Sequence, residues 1–242
     1  MKKYFPLDSS YNSLFKQLGE TIKAFYPAGL SSYEPEYHEY AGIKKLQEII
    51  WEGIGVRKNF RNWSAFVKRV SAKLNKEVDG TTYGLMPGYS ADLILERHED
   101  NMLIREKKIS FAVSLLGPYY SICGIDQTTI KLLDDEATRY YEAINVVTVS
   151  PYREFEADFI FIEQQITKKF KGYKIVPFDI CMDFIKDVET LYSMGQEGNI
   201  YSALFNHMFN FYAHQRSRGD RYYGLERNPN IKVTLSPPPK QP

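Results

Sequence analysis

The densest group of side chains able to bind a metal or move a proton is Glu34-Pro35-Glu36-Tyr37-His38-Glu39-Tyr40. Imidazole and carboxylates suit zinc or iron. On a helix, however, Glu36 and Glu39 share a face while His38 points elsewhere, so the i, i+4 pair that grips one ion is missing. A solvated acidic first turn, which the helix dipole favours, accounts for the pattern. His98-Glu99-Asp100 is the second group. With Cys123 as a thiol nucleophile it defines an enzyme alternative, a hydrolase whose site gathers around the 98–100 hairpin. Polar residues are also what a hairpin tip requires in any protein. His207 and His214 lie seven residues apart, about 10.5 Å along one helix, too far to share an ion.

Cys123 and Cys181 are the only cysteines and neither has a Cys-x-x-Cys partner, so both are expected as buried, reduced thiols. Neither Gly84-Leu85-Met86-Pro87-Gly88 nor Gly117-Pro118-Tyr119-Tyr120 has the spacing of a phosphate-cradling loop, and Gly-x-Ser-x-Gly, His-Glu-x-x-His and EF-hand patterns are absent. No cofactor and no metal are expected. Arginine and tyrosine interleave at Arg216, Arg218, Arg221, Tyr222, Tyr223 and Arg227, a chemistry that serves single-stranded nucleic acid. Asp220 and Glu226 offset two of the four arginines there, so nucleic acid is the weaker alternative.

Tyrosine is the unusual residue: there are 19 in 242 positions. It brings a large ring and a hydroxyl with only two side-chain torsions to fix, and it is enriched where surfaces meet partners. Tyr33, Tyr37 and Tyr40 surround a helix start, and Tyr119-Tyr120, Tyr140-Tyr141 and Tyr222-Tyr223 are adjacent pairs, a pattern that points to a binding surface. Neighbours in a strand face opposite sides, so one of Tyr119 and Tyr120 is expected inside and the other at the surface. Tyr33, Tyr37, Tyr40, Tyr119, Tyr120, Tyr222 and Tyr223, with Arg218 and Arg221, form the candidate partner-binding set.

The elements that must position these groups follow from periodicity. Asp8, Ser9 and Ser10 read as caps for a helix carrying Leu14, Leu18 and Ile22, which Pro27 and Gly29 end. A second helix is predicted from about Pro35 to Ile54, and a third carries Phe60, Trp63, Phe66, Val67, Val70 and Leu74 with a basic outer face. At Gly80 the period changes to two. Strands are predicted over 89–97, through Ile109, Phe111, Val113 and Leu115, and over 119–130, with Lys108, Ser110, Ala112 and Ser114 on a polar face. A short helical piece over 136–143 leads to a strand at 144–149. A helix through Phe155, Phe159, Ile162, Ile166 and Phe170 leads to a strand at 173–176, as in a βαβ unit. Two more helices are predicted at 183–194 and 199–214, and Ser236 to Pro242 reads as an extended proline-rich tail.

The expected fold is α+β, with N-terminal helices packed on a mainly antiparallel sheet of about five strands, a meander plus a βαβ-like unit, and C-terminal helices. Residues 1–79 form the helical part, 80–214 the sheet-containing core packed with it as one domain, and 215–242 a loop and flexible tail. The 31 basic and 30 acidic residues leave a net charge of +1, which removes any overall field toward nucleic acid or an anionic membrane. Lys2 and Lys3 are followed by Tyr4-Phe5-Pro6-Leu7-Asp8 rather than an apolar run, and no stretch is apolar enough to span a bilayer, so a cytoplasmic protein with no membrane partner is expected. The functional expectation is a non-enzymatic module that binds another protein, with a bacterial toxin-neutralising immunity-type protein as one concrete form.

Overall fold

The computed structural model describes residues 2–9, 12–133, 138–207 and 216–225. The chain begins with α1 (Ser13–Phe25), α2 (Pro35–Glu39), α3 (Ala41–Ile50) and, after a π turn at Trp51–Gly55, α4 (Arg57–Leu74). Asn12 rather than Asp8 or Ser9 caps α1, its Oδ1 accepting from the Phe15 amide at 2.9 Å. The helix predicted over 35–54 is broken at Tyr40, whose extended backbone separates α2 from α3. Gly42 makes that break useful: a Cβ there would stand 2.6 Å from the Ala24 carbonyl oxygen, so only glycine lets α3 start against the end of α1.

The sheet follows: β1 (Val78–Gly80), β2 (Gly88–Glu99), β3 (Leu103–Ser114), β4 (Tyr119–Leu133) and β5 (Thr138–Thr148). β2 to β5 are an antiparallel meander, and β1 pairs with β2 on its far side. The helix predicted over 136–143 is replaced, from residue 138, by β5. Ten paired positions against β4, from Leu133↔Thr138 to Gly124↔Thr148, outweigh the helix propensity of Glu142 and Ala143.

A 3₁₀ turn at Arg153–Phe155 enters α5 (Glu156–Lys169), which leads to β6 (Lys174–Ile175) and α6 (Phe178–Cys181). β6 lies parallel to β4 at Tyr119 and Tyr120, beside the end of β4 that β5 leaves free. The helix predicted over 183–194 is instead β7 (Phe184–Glu189), paired with β8 (Glu197–Asn199). The N-terminal segment dictates this: Phe184 donates to the Lys3 carbonyl and accepts from the Phe5 amide, each at 2.8 Å. α7 (Ile200–Leu204) is capped by a reciprocal Asn199–Ser202 box and ends at Phe205, shorter than the predicted 199–214. His214 lies outside the described residues, as do Arg227 and the proline-rich end. Residues 216–225, expected as loop, are docked: β9 (Ser217–Arg218) runs parallel to Val147 and Thr148.

Seven strands therefore form one mixed sheet in the order β1-β2-β3-β4-β5-β9 with β6 beside β4, and the fold is α+β. The sheet has a helical layer on each face. Trp63, Phe66 and Val70 of α4 and Phe159, Ile162 and Ile166 of α5 pack on Leu93, Ile109, Phe111 and Ile122. On the opposite face Leu18, Ile22, Ile43, Leu46 and Leu204 pack on Ala112, Tyr119, Cys123, Ile125 and Val147. Residues before and after position 80 share both cores. The second layer explains why Ser110 and Ser114, expected on a polar outer face, are buried.

Candidate binding surface

The strands outrun the helices. Leu95 is the last β2 residue packed against the α4/α5 layer, yet β2 continues to Glu99, about 13 Å further at 3.3 Å per residue. Two bulges shape this overhang. One lies between Ile94 and Glu96 of β2, and the other places Asn145 of β5 beside the Asp126/Gln127 step of β4. Bulges raise the local twist, and the face on the α4/α5 side becomes concave, enclosing about 860 Å³.

Its floor is formed by Glu96 and His98 of β2, Arg105 and Lys107 of β3, Asp126 and Thr128 of β4, and Asn145, with Arg97 and Glu106 at its margin. Lys107 donates to Glu96 at 2.9 Å, a bond that raises the lysine's pKa. The Asn145 amide donates to Asp126 at 3.0 Å and to Thr128 at 2.9 Å. Arg105 has no acidic partner among the described residues. Three acidic and three basic side chains line the cavity, which is therefore strongly polar and close to neutral. Further along the same face the register sets Ile130 opposite both Leu103 and Tyr141, and Leu132 lies two positions beyond. Ile130, Leu132 and Tyr141 are 42%, 46% and 53% exposed. A charged saddle thus runs into an apolar, aromatic shelf.

His98, Glu99 and Asp100 do not form a catalytic group with Cys123. His98 lines the concavity. Glu99 bonds Lys131 at 2.6 Å and Arg97 at 3.0 Å, which hold its carboxyl below the usual range. Asp100 accepts from the Met102 and Leu103 amides, each at 2.8 Å, and is lowered by those bonds. Cys123 is on the other face of β4, opposite Ser110, where burial and then the nearby Asp92 push its thiol up to about 12. Two ionised, solvent-facing acceptors and a protonated, buried thiol do not supply a nucleophile and its base.

The tyrosine candidates separate by burial. Tyr119 and Tyr120 are both buried, on opposite faces, because the sheet has no bare side at that end. The Tyr119 hydroxyl stands 2.9 Å from Thr21 Oγ1, and the Tyr120 hydroxyl donates to Glu163, which also receives Tyr223 at 2.7 Å. Tyr37 is fully buried and donates to the Glu189 carbonyl at 3.0 Å; Tyr40 is half-buried and Tyr33 is exposed. Arg218 is tied to Glu154 and Thr148, and Asp179 holds both Arg221 and Tyr222 at 2.8 Å. The arginine and tyrosine segment is thus spent largely on docking residues 216–225. Among the candidates Tyr33 and the outer side of Tyr222 remain accessible.

Ile130, Leu132, Arg105 and Lys107 are not among the sequence candidates, and Tyr141 enters there only as one of the adjacent tyrosine pairs. The alternation of Ile130 and Leu132 beyond the predicted strand end was the available signal, masked by a helical reading of what followed. Among the described residues no group of three or more His, Cys, Asp or Glu is placed to hold a metal ion, and no helix is long and apolar enough to cross a membrane. Comparison with protein-family models, with curated proteins and with solved structures finds no match.

Proposed function

We propose that this protein works by binding another protein through the sheet face that continues past α4 and α5. The observation that carries the reading is the joining of Ile130, Leu132 and Tyr141, about half exposed, to a concavity whose Arg105 has no acidic partner among the described residues. Interfaces are built this way, with an apolar, aromatic centre and a polar rim, and arginine is enriched in them. The balance of charge in the cavity favours a protein over a nucleic acid, which would call for a net positive groove. Neutralising a toxin by covering it is one use of such a face, and the identity of the partner tests that directly.

Affinity capture from the native host tests the proposal, using the full chain and the double variant Ile130→Asp/Leu132→Asp. The expected result is one protein retained in equal proportion by the parent chain and lost from a variant that keeps its melting temperature. Retention of no stoichiometric partner, or equal retention by both chains, refutes it.

A further inference from the structure

α4 has an outer face that the sheet core does not use. The helix carries Arg57, Lys58, Arg61, Lys68, Arg69 and Lys73, all exposed, and no aspartate or glutamate. At about 100° per residue, Arg57, Arg61 and Lys68 share one row within about 40°, and Lys58, Arg69 and Lys73 share a second within about 60°. The second row lies beside α5, since Lys73 donates to Gln165 at 3.3 Å. The two helices run antiparallel. Phe170, at the end of α5, has its ring centre 6.5 Å from that of Trp63 and 5.9 Å from that of Phe66, while Lys76, just past the end of α4, reaches Asp158 in the first turn of α5 at 2.6 Å. This sets the exposed Lys168, Lys169 and Lys171 beside the first half of α4. None of these basic side chains on the two helices has an acidic partner among the described residues. The carboxylates of α5 are occupied or distant: Asp158 is taken by Lys76, Glu163 accepts from Tyr120 and Tyr223, and Glu156 lies at the opposite end of the helix. Arg57 with Arg61 and Arg69 with Lys73 are like-charge i, i+4 pairs, which weaken a helix unless something anionic lies across them.

We propose that this face binds the phosphate backbone of double-stranded DNA. The inference goes beyond the partner-binding sheet face and does not depend on it. The 31 basic and 30 acidic residues cancel the field of the whole chain, but counterion release is local and is set by the cations that touch phosphates. The two rows are about 16 and 22 Å long, and a duplex presents one negative charge per about 1.7 Å of axis, so about 13 phosphates pass along the longer row. Three of the six α4 cations are arginines, whose forks suit phosphate. Between the cations lie the exposed Asn62, Ala65 and Ala72, which offer no ring to an unpaired base and no large apolar group to a bilayer. The rings of the two helices, Trp63, Phe66 and Phe170, pack on one another instead. A single strand, held by stacking, and an anionic membrane, entered by apolar side chains, therefore fit this face less well. Asn62 is the one uncharged polar group of those three, so contacts to 2′-hydroxyls are few, which favours DNA over an RNA duplex. Trp51 and Glu52 lie in the π turn before α4, at one end of the face rather than within it. Contacts confined to the backbone carry no sequence preference.

Fluorescence anisotropy of a labelled DNA duplex of about 24 base pairs, titrated with the full chain at about 50 to 200 mM salt, tests this. About five phosphate contacts give a slope of log affinity against log salt near −4.5, so affinity should fall about 500-fold across that range, equally for two unrelated sequences. Arg61→Glu/Lys68→Glu/Lys169→Glu should raise the dissociation constant at the lowest salt at least about thirtyfold. Lys16→Glu/Lys44→Glu/Lys45→Glu makes the same change of net charge on the α1/α3 side of the sheet and should stay within about threefold of the parent chain. All six positions are exposed, and thermal melting checks that both variants fold. The salt slope of the parent chain decides the matter without them. The single strand of the same sequence, an RNA duplex, and vesicles of phosphatidylserine and phosphatidylcholine are the competing ligands. Absence of duplex binding at the lowest salt, a slope shallower than about −2, equal losses in the two variants, or tighter binding of any competing ligand overturns the inference.

Discussion

On the α1/α3 face of the sheet Lys108 holds two carboxylates, and its removal is the sharpest test of how that face is built. Its Nζ stands 2.9 Å from Asp92 and 3.3 Å from Glu106, and Asp92 is 4% exposed. Burial acts first to lower the lysine's pKa, but the two carboxylates together outweigh it and the net shift is upward. The ammonium therefore contributes stability that is complete below the unfolded lysine value near 10.5 and is lost only as the pH rises above it. Lys108→Ala leaves Asp92 without its one cation among the described residues. Glu106 keeps Arg97 at 3.5 Å, so the uncompensated charge is mainly at Asp92. Breaking a buried pair from one side costs about 3–5 kcal/mol. At roughly 2.1 cal/mol/K per residue, a chain of this length loses about 0.5 kcal/mol per degree, so the melting temperature should fall by about 6–10 °C. Urea unfolding at pH 8 is the assay. A loss below about 1 kcal/mol, typical of an exposed pair, refutes the buried-pair reading.

Three further outcomes are expected. Ser110 Oγ is buried without a hydrogen-bond partner among the described residues, so Ser110→Ala should leave urea stability unchanged or raise it by up to about 1 kcal/mol. Phe159→Ala, in the fully buried contact of α5 with the sheet, should cost about 3–5 kcal/mol by the same measurement. Asp179 is lowered although burial works against it, because Lys3 and Tyr222 hydrogen-bond it and Lys3 and Arg221 add their charge. Its contribution is present above the unfolded carboxyl value of 3.8 and fades as the pH falls through the lower folded value. Exchange of the Val149 amide, which donates to the Arg218 carbonyl at 3.0 Å, should therefore accelerate below about pH 4 before global unfolding, and in Asp179→Ala at neutral pH.

Where local pattern and final environment agreed, the sequence was readable. Leu14, Leu18 and Ile22, the α4 stripe from Trp63 to Val70, the α5 stripe and the meander all fall where their periods place them. The failures share a cause: a partner distant in the chain. Ser110, Ala112 and Ser114 look like a solvent face until α1, α3 and α7 arrive to cover it. The 183–189 segment becomes a strand because Lys3 and Phe5, some 180 residues earlier, pair with it. Tyr119 and Tyr120 were expected to split between core and surface, which holds for a sheet with one bare face and fails for one covered on both. The shelf of Ile130, Leu132 and Tyr141 was missed for the related reason that β5 is a strand by virtue of its ladder with β4.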